Sequence, residues 1–426
     1  MKKVLLISSA LFIGGISFAD DENYDGQLLT GDFSRKSMVN SSWRNATTGS
    51  ERLSFIYSDL TNAVFDGAVM NAWFGTVTFN GASFRYADLS KKTKDGTGFD
   101  GAKVINVDFT GANLSDVNFQ NADVSGSNFT DAIINGANFG ENIAVKNFTV
   151  EQLCSTKSYK IKDLSRVNFC KVFLDGCDFS GQNLQHASFY RGSLKNTDFT
   201  GADIRGTLGA DVDFEGKKTK NTIGQTGEIK NFSMESVDDS LTIRKYVPAT
   251  SGGAMINAKI VDDASISGGA VLTLEQGAVL EIASGKTLSV LDDSEIIFNV
   301  DAATDATKIL LGENSKLVFG SDSKITINLD GVASSDDSYT FSVIESAAGA
   351  QVMGTDSLKK ENVILNVNGE TFDSSKWTLD FDSSTGSFNI NVNVPEPAEW
   401  AAILGAIAIA FGMLQHARRR GGCRPQ

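Results

Sequence analysis

From Phe99 to Phe139 every fifth residue is apolar: Phe99, Val104, Phe109, Leu114, Phe119, Val124, Phe129, Ile134 and Phe139. A small residue often stands two positions earlier, as at Ala102, Ala112, Ala122, Ser127, Ala132 and Ala137, and Asp or Asn often stands immediately before, so the unit reads Ala-(Asp/Asn)-(Phe/Leu)-x-x. An α-helix repeats every ~3.6 residues and a two-faced strand every ~2, so neither keeps a period of five on one buried side. If each unit forms one side of a squared coil, four units close a turn of about 20 residues and the coils stack as a solenoid. Phe99, Phe119 and Phe139 then lie above one another, Phe109 and Phe129 opposite, with Val104 over Val124 and Leu114 over Ile134 on the other two sides. Large and smaller residues alternating around a narrow interior fill it without voids.

The rhythm begins earlier, in Leu28, Phe33, Met38 and Trp43, slips, resumes in Phe55, Leu60, Phe65 and Met70, and slips again to Phe74, Phe79, Phe84 and Leu89. Irregular early coils suit the end of a stack that must close itself. After Phe139 the pattern is interrupted, with Thr149 and Gln152 spaced as a capping pair for a short helix near Val150 to Ser155. It returns in register at Leu164, Phe169, Leu174, Phe179, Leu184, Phe189, Leu194, Phe199 and Ile204, and after a skip at Phe214. Positions 139 and 164 differ by a multiple of five, which predicts an insertion bulging from a corner of an unbroken column.

The ladder resembles the pentapeptide-repeat family, which implies a right-handed quadrilateral β-helix over residues 20–216. The strings FTVEQLCSTKSYKIKDLS and FSGQNLQHASFY resemble pentapeptide proteins of secreted bacterial sets that carry a carboxy-terminal sorting signal. That likeness implies cell-surface company and no particular reaction.

A second period starts at Ala264. The pairs Ala264/Ile266, Leu272/Leu274, Leu280/Ile282, Leu288/Val290 and Ile296/Phe298 lie eight residues apart, and Ile309/Leu311, Leu317/Phe319 and Ile325/Ile327 continue them. Short alternating strands at fixed spacing predict a second β-solenoid of about three sides per coil within residues 217–394; a β-sandwich is the alternative. The spacing looks like that of passenger-type β-helices of bacterial surface proteins. Four further strands near Tyr339–Ile344, Val363–Val367, Trp377–Phe381 and Ser387–Val394 would cover the open edge of the last coil.

Both ends carry targeting patterns. Lys2 and Lys3, an apolar run over residues 4–18 and small residues before the Ala19/Asp20 junction predict a signal peptide over residues 1–19. At the other end Val394, Pro395, Glu396 and Pro397 precede an apolar run over residues 400–414 and the triplet Arg418, Arg419 and Arg420. Fifteen residues of helix reach about 22 Å, a marginal membrane span, and the arginines would hold a tail of residues 421–426 in the cytoplasm. On composition alone a plain tail anchor has the same features. The order over residues 395–420 is similar to the PEP-CTERM sorting signal, which implies processing by an exosortase in bacteria that make exopolysaccharide.

Composition narrows the chemistry. Forty-one Gly, 28 Phe and four Pro suit an all-β chain with many turns. The net charge of −14 deepens to about −19 without the two terminal segments, which argues against nucleic acid held through its phosphates. Cys170 is expected to face outward and Cys177 to take a small inward slot, so a bond between them is geometrically poor; Cys154 falls in the insertion, and free or buried thiols are expected. No Cys/His cluster, nucleophile elbow or phosphate loop is present, and His186, the one histidine between the terminal segments, reads as an outward or corner residue. Asp108, Asn113, Asn118, Asp123 and Asn128 recur too regularly to be other than structural, and Asp262/Asp263 and Asp292/Asp293 fall at strand joins.

The sequence therefore predicts an exported, non-enzymatic surface or matrix protein, structural or adhesive, with no cofactor or metal. Its expected partners are an exosortase-type enzyme, the inner membrane transiently, and exopolysaccharide or further copies of the chain. A polysaccharide-active or polysaccharide-binding β-helix is the alternative. A DNA mimic of the kind that protects gyrase is a remote one, which the signal peptide contradicts.

Overall fold

The computed structural model describes residues 4–6, 22–49, 51–90, 96–140, 144–208, 218–291, 293–302, 307–332, 338–354, 360–372, 377–382 and 387–393. The chain divides into two units: Met1–Glu228 with Tyr246–Ile256, and Ile229–Lys245 with Asn257–Gln426.

The first unit is a stack of parallel coils. Gly98 pairs with Asn118 and Asn118 with Asn138, while Lys103 pairs with Asp123, each twenty residues on. Each side carries two kinds of backbone bond. Phe99 N donates to the Asn118 carbonyl of the next coil at 2.7 Å, and Ala102 N donates back to the Phe99 carbonyl at 2.9 Å, closing a tight turn. The third residue of that turn is left-handed, with φ between 53° and 67° at Gly101, Asn106, Gly111, Asp116 and Asn121. Gly tolerates that conformation freely and Asn and Asp better than other side chains, so the last x of the unit is constrained as tightly as its centre.

The Phe ladder builds two columns of rings. Phe99 stacks on Phe119 at 5.0 Å and Phe119 on Phe139 at 5.4 Å, with rings within 5° of parallel. Opposite them Phe109 stacks on Phe129 at 5.2 Å. Between columns the rings meet edge to face, at 84° for Phe99/Phe109 and 87° for Phe109/Phe119. Both are favoured aromatic geometries, each worth about 0.5–1.5 kcal/mol beyond area burial.

The irregular early coils differ in length. Asp32 pairs with Ser54, 22 residues on; Asp59 with Thr78, 19 on; and Trp73 with Gly98, 25 on. Yet the rings of Phe33, Phe55, Phe74 and Phe99 stay stacked at 5.0–5.1 Å, because length differences are absorbed in loops while the column keeps its contacts. Leu29, not Leu28, takes the buried place in the first coil.

The interruption after Phe139 does more than bulge from a corner. Phe148 stacks on Phe139 at 4.4 Å, and Leu153 is fully buried in the same core. The helix Val150–Ser155 carries the expected capping box, with Gln152 N donating to Thr149 Oγ1 and Thr149 N to Gln152 Oε1. Gln152 Nε2 also donates to the carbonyls of Val124 and Ser127, coil acceptors that the helical segment faces in place of a strand. A second short helix, Lys157–Lys160, follows before the ladder resumes and Phe169 stacks under Phe139 at 5.9 Å.

The five-residue coils run past residue 216: Asp198 pairs with Lys218 and Asp203 with Ile223, which is fully buried. The expected boundary at 216/217 is thus displaced to Glu228, and the strands Ser233–Met234, Ser240–Ile243 and Ala258–Ile260 already belong to the second unit.

That second unit is a three-sided parallel coil, not a sandwich. One sheet joins Ser240–Ile243, Val271–Leu274, Glu295–Asp301, Lys324–Asp330 and Val363–Val367. Another joins Ala258–Ile260, Val279–Ile282, Lys308–Leu311 and the end of Ser338–Ser346. The third joins Ser233–Met234, Ala264–Ile266, Thr287–Val290, Lys316–Phe319 and Gln351–Met353. Most of these strands bury alternate residues, and Leu241, Leu272, Ile296, Ile325 and Val363 form one inner row. Asn299, Asn328 and Asn366 form an amide ladder on the same sheet, with successive bonds of 2.8 Å. Val363–Val367 thus continues the coil, whereas Ser387–Asn393 runs antiparallel between Ser338–Ser346 and Trp377–Asp382 and extends one sheet edge.

Among the described residues no helix is long and apolar enough to cross a membrane. The short strand Val4–Leu6 runs parallel to Leu28–Thr30. Ala19 and Asp20, and the segment containing Val394, Pro395, Glu396, Pro397, Arg418, Arg419 and Arg420, lie outside the described residues.

Candidate functional site

The predicted ladder residues are structural. Phe99, Phe109, Phe119, Phe129, Phe139, Leu164, Phe169, Phe179, Leu184 and Phe199 are fully buried, with Phe189 and Leu194 nearly so. The Asx row before them serves the turns: the backbone N–H two residues on donates to Asp108, Asn113, Asn118, Asp123 and Asn128 at 2.9–3.2 Å. Ser125 Oγ also donates to Asp123, and this bond, reinforced by Asn147 and by Ser125 N against the opposing effect of burial, holds that carboxyl below its ordinary pKa.

The acidic pairs of the second unit are occupied similarly. Asp262 accepts from Asn231 N at 3.1 Å, Asp263 accepts from Thr287 N at 2.8 Å, and Asp293 stands 3.6 Å from Lys324 Nζ. Asp292 lies outside the described residues. Among the described residues no group of His, Cys, Asp and Glu could hold a metal ion.

His186 has a partner that its sequence position did not suggest. Its Nε2 lies 2.7 Å from the carbonyl oxygen of Val247, so Nε2 carries the proton. Beside it Asp203 and Arg205, both without solvent exposure, form a bidentate pair at 2.6 and 2.9 Å. Arg205 Nη1 donates to the Ile256 carbonyl at 2.8 Å, and the guanidinium lies 5.5 Å from the Tyr246 ring centroid. Residues 246–256 thus form a strap fastened to the last coils of the first unit. Cys170 departs from expectation too: it is buried, with Sγ 3.0 Å from Ser188 Oγ, because its side packs between two coils.

What the outer face presents is a set of arginine–aromatic pairs. The Arg52 guanidinium stands 4.2 Å from the Trp73 ring centroid, and Arg35 stands 5.9 Å from Tyr57. Trp73 is 40% exposed and Tyr57 61%. Their backbones lie on neighbouring coils: Tyr57 N donates to the Gly75 carbonyl, and Gly75 lies under the Trp73 ring, where a Cβ would overlap Nε1. Arg85 and Tyr86, with Tyr86 lying over Gly111, and Arg191 and Tyr190 repeat the pairing elsewhere on the unit. The readable signal was an aromatic at an outward position followed by a glycine two residues or one coil on.

The Pentapeptide repeats family model matches residues 96–131, 108–141 and 163–207, eight copies in all. The chain carries pentapeptide repeats, folded as stacked parallel β-coils with almost no helix among the described residues. Among solved structures it is similar to HetL, a pentapeptide repeat protein involved in heterocyst differentiation regulation from the cyanobacterium Nostoc sp. strain PCC 7120, at 18% identity over 50% of this chain and 94% of that one, with a TM-score of 0.19. It is similar also to full-length QnrB1, a plasmid-mediated fluoroquinolone resistance protein, at 18% identity over 45% of this chain and 92% of that one, with a TM-score of 0.26. No curated protein matches the chain.

Proposed function

We propose that the chain is an exported, non-enzymatic protein of the bacterial cell surface or matrix that adheres to polysaccharide through the Trp73/Tyr57 face of its five-residue column. The observation that carries this reading is a pair of exposed rings on neighbouring coils of the column, each attended by an arginine. The apolar face of a sugar ring stacks on Trp and Tyr, while guanidinium donors meet hydroxyl or carboxylate oxygens in a fixed fork. A rigid surface loses little entropy on binding, which favours a ligand that offers many weak contacts. The acidic character of the chain disfavours nucleic acid. Export through residues 1–19 and sorting through Val394–Pro397 and Arg418–Arg420, by an exosortase-type enzyme after transient anchoring in the inner membrane, belong to the same proposal.

Two measurements test it. Co-sedimentation with the exopolysaccharide of the producing bacterium should retain the wild-type protein, and Trp73→Ala with Tyr57→Ala should lose most of that retention while keeping the β-rich circular dichroism spectrum. Equal retention of wild type and variant removes the binding face. The intact mass of protein from outer fractions should lack residues 1–19 and the segment after Pro397; a chain still ending at Gln426 in the inner membrane removes the sorting step.

A further inference from the structure

The side of the column that carries Trp73 continues well beyond it. In strand register Trp73 is followed by Gly98, Asn118, Asn138, Asn168 and Ser188, one to each coil. At ~4.8 Å per coil the last of these lies about 24 Å from the first. Two residues after Ser188 stands Tyr190, 39% exposed, with the Arg191 guanidinium 4.9 Å from its ring centroid. The Arg52/Trp73 pair thus has a counterpart on the same side of the column. The outward residues between them are short or carry amides, and Asp100 is the one carboxylate among those described there.

The edge that follows this side is built against the ordinary preference of its turn. Backbone bonds from Arg35 N to the Ile56 carbonyl, Tyr57 N to Gly75, Thr76 N to Asp100 and Gly101 N to Gln120 carry one turn position from coil to coil, and Lys171 N to Tyr190 carries it on to Arg191. The backbone is left-handed at each: φ is 58° at Arg35, 61° at Tyr57, 57° at Thr76, 60° at Lys171 and 58° at Arg191. Glycine adopts that conformation freely and a long side chain does not. The next edge round the column has Gly81, Asn106 and Gly126 in the equivalent place, and Gly101 and Asn121 follow the same preference midway along this one. The long residues gather at its two ends, Arg35 and Tyr57 toward Trp73, Lys171 and Arg191 toward Tyr190. Strain kept where a commoner residue would relieve it points to positions held for contact.

We propose that a linear polysaccharide bearing carboxylates lies lengthwise along this side, held at two poles: Trp73 and Tyr57 with Arg52 and Arg35 at one, Tyr190 with Arg191 and Lys171 at the other. Such a mode requires that the Trp73/Tyr57 face bind polysaccharide, as proposed above, and it gives that ligand a charge class, a direction and a second point of attachment. At each pole exposed aromatic surface packs against a sugar ring while a guanidinium or ammonium meets a carboxylate. A chain that reaches both poles binds the second with the first already held, which raises affinity over a short fragment by about 10²–10⁴.

The test is calorimetric titration of the full chain with galacturonic acid oligomers of graded length, with neutral dextran for comparison. Wild type is expected to bind the oligomers in preference to dextran, with affinity rising at least about tenfold once an oligomer can reach across ~24 Å. Lys171→Gly with Arg191→Gly places at the edge the residue that its turn prefers, so the thermal midpoint should stay level or rise while the advantage of long oligomers disappears. A variant that keeps full affinity for long oligomers, or a wild type indifferent to length, overturns the second pole and leaves the Trp73 face standing. Dextran bound as tightly as the oligomers, or oligomers ignored by a protein that the producing bacterium's exopolysaccharide retains, overturns the charge class. Failure with the exopolysaccharide as well removes polysaccharide binding altogether.

Discussion

Arg166 reaches past Gly136 to place Nη1 3.0 Å from Asp116 Oδ1, fifty residues earlier in the chain. Gly136 is left-handed at φ 69°, and a Cβ there would overlap Asp116 Oδ1 and crowd the Arg166 guanidinium. One corner of the column is thus read over three successive coils: an acid, a gap and a base. The same device recurs where Asn45 lies over Gly67 and Asn106 over Gly126.

Gly136→Ala should therefore destabilise the first unit by about 1–3 kcal/mol, through left-handed strain and displacement of Asp116. Urea unfolding followed by circular dichroism measures it. An unchanged midpoint would mean that the corner ion pair and the left-handed turn are both relaxed without cost.

The ring columns predict a larger effect. Phe119 touches stacked rings on both sides and edges across the column. Phe119→Ala should cost about 3–5 kcal/mol, since neighbouring coils are held by their own backbone ladders and collapse poorly into the cavity. Phe129→Asp should abolish folding of the column, seen as loss of the cooperative transition.

The Asp203/Arg205 pair predicts non-additivity. Asp203→Ala or Arg205→Ala alone strands a buried charge and should cost about 3–5 kcal/mol, whereas replacing both with apolar residues should cost much less than the sum. A double-mutant cycle in urea measures the difference, and additive losses would mean that each side chain acts mainly through Gln185 or Ile256.

Asp123 predicts an acid limb. Its folded pKa lies below the ordinary value, so its contribution is present above the unfolded pKa and is lost as pH falls through the folded one. Exposure and solvent screening keep the effect under about 1 kcal/mol. Asp123→Asn retains an acceptor for Ser125 N, so unfolding midpoints compared between about pH 6 and pH 3 should fall less steeply for the variant than for wild type.

The period of five alone determined that the chain coils, that four units make a turn, and that Phe rings stack in opposed columns. It could do so because an inward side chain every fifth residue has one solution at this coil width. The eight-residue pairs pointed to a three-sided second coil but left a sandwich open until the parallel register closed it, and Thr149 and Gln152 marked the cap of the short helix. The terminal segments were legible as composition and, Val4–Leu6 apart, lie outside the described residues.

Tertiary structure decided what depends on residues far apart in the chain. Coil lengths of 19, 22 and 25 residues show no period, yet stacking fixes which ring meets which. The strap on His186 and Arg205 comes from a segment that shares no repeat with the coils it fastens to. The pairing of Trp73 with Arg52 follows from the register of Leu53–Ser54 against Ala72–Trp73, which buries Leu53 and Ala72 and which a slip of one residue would turn outward.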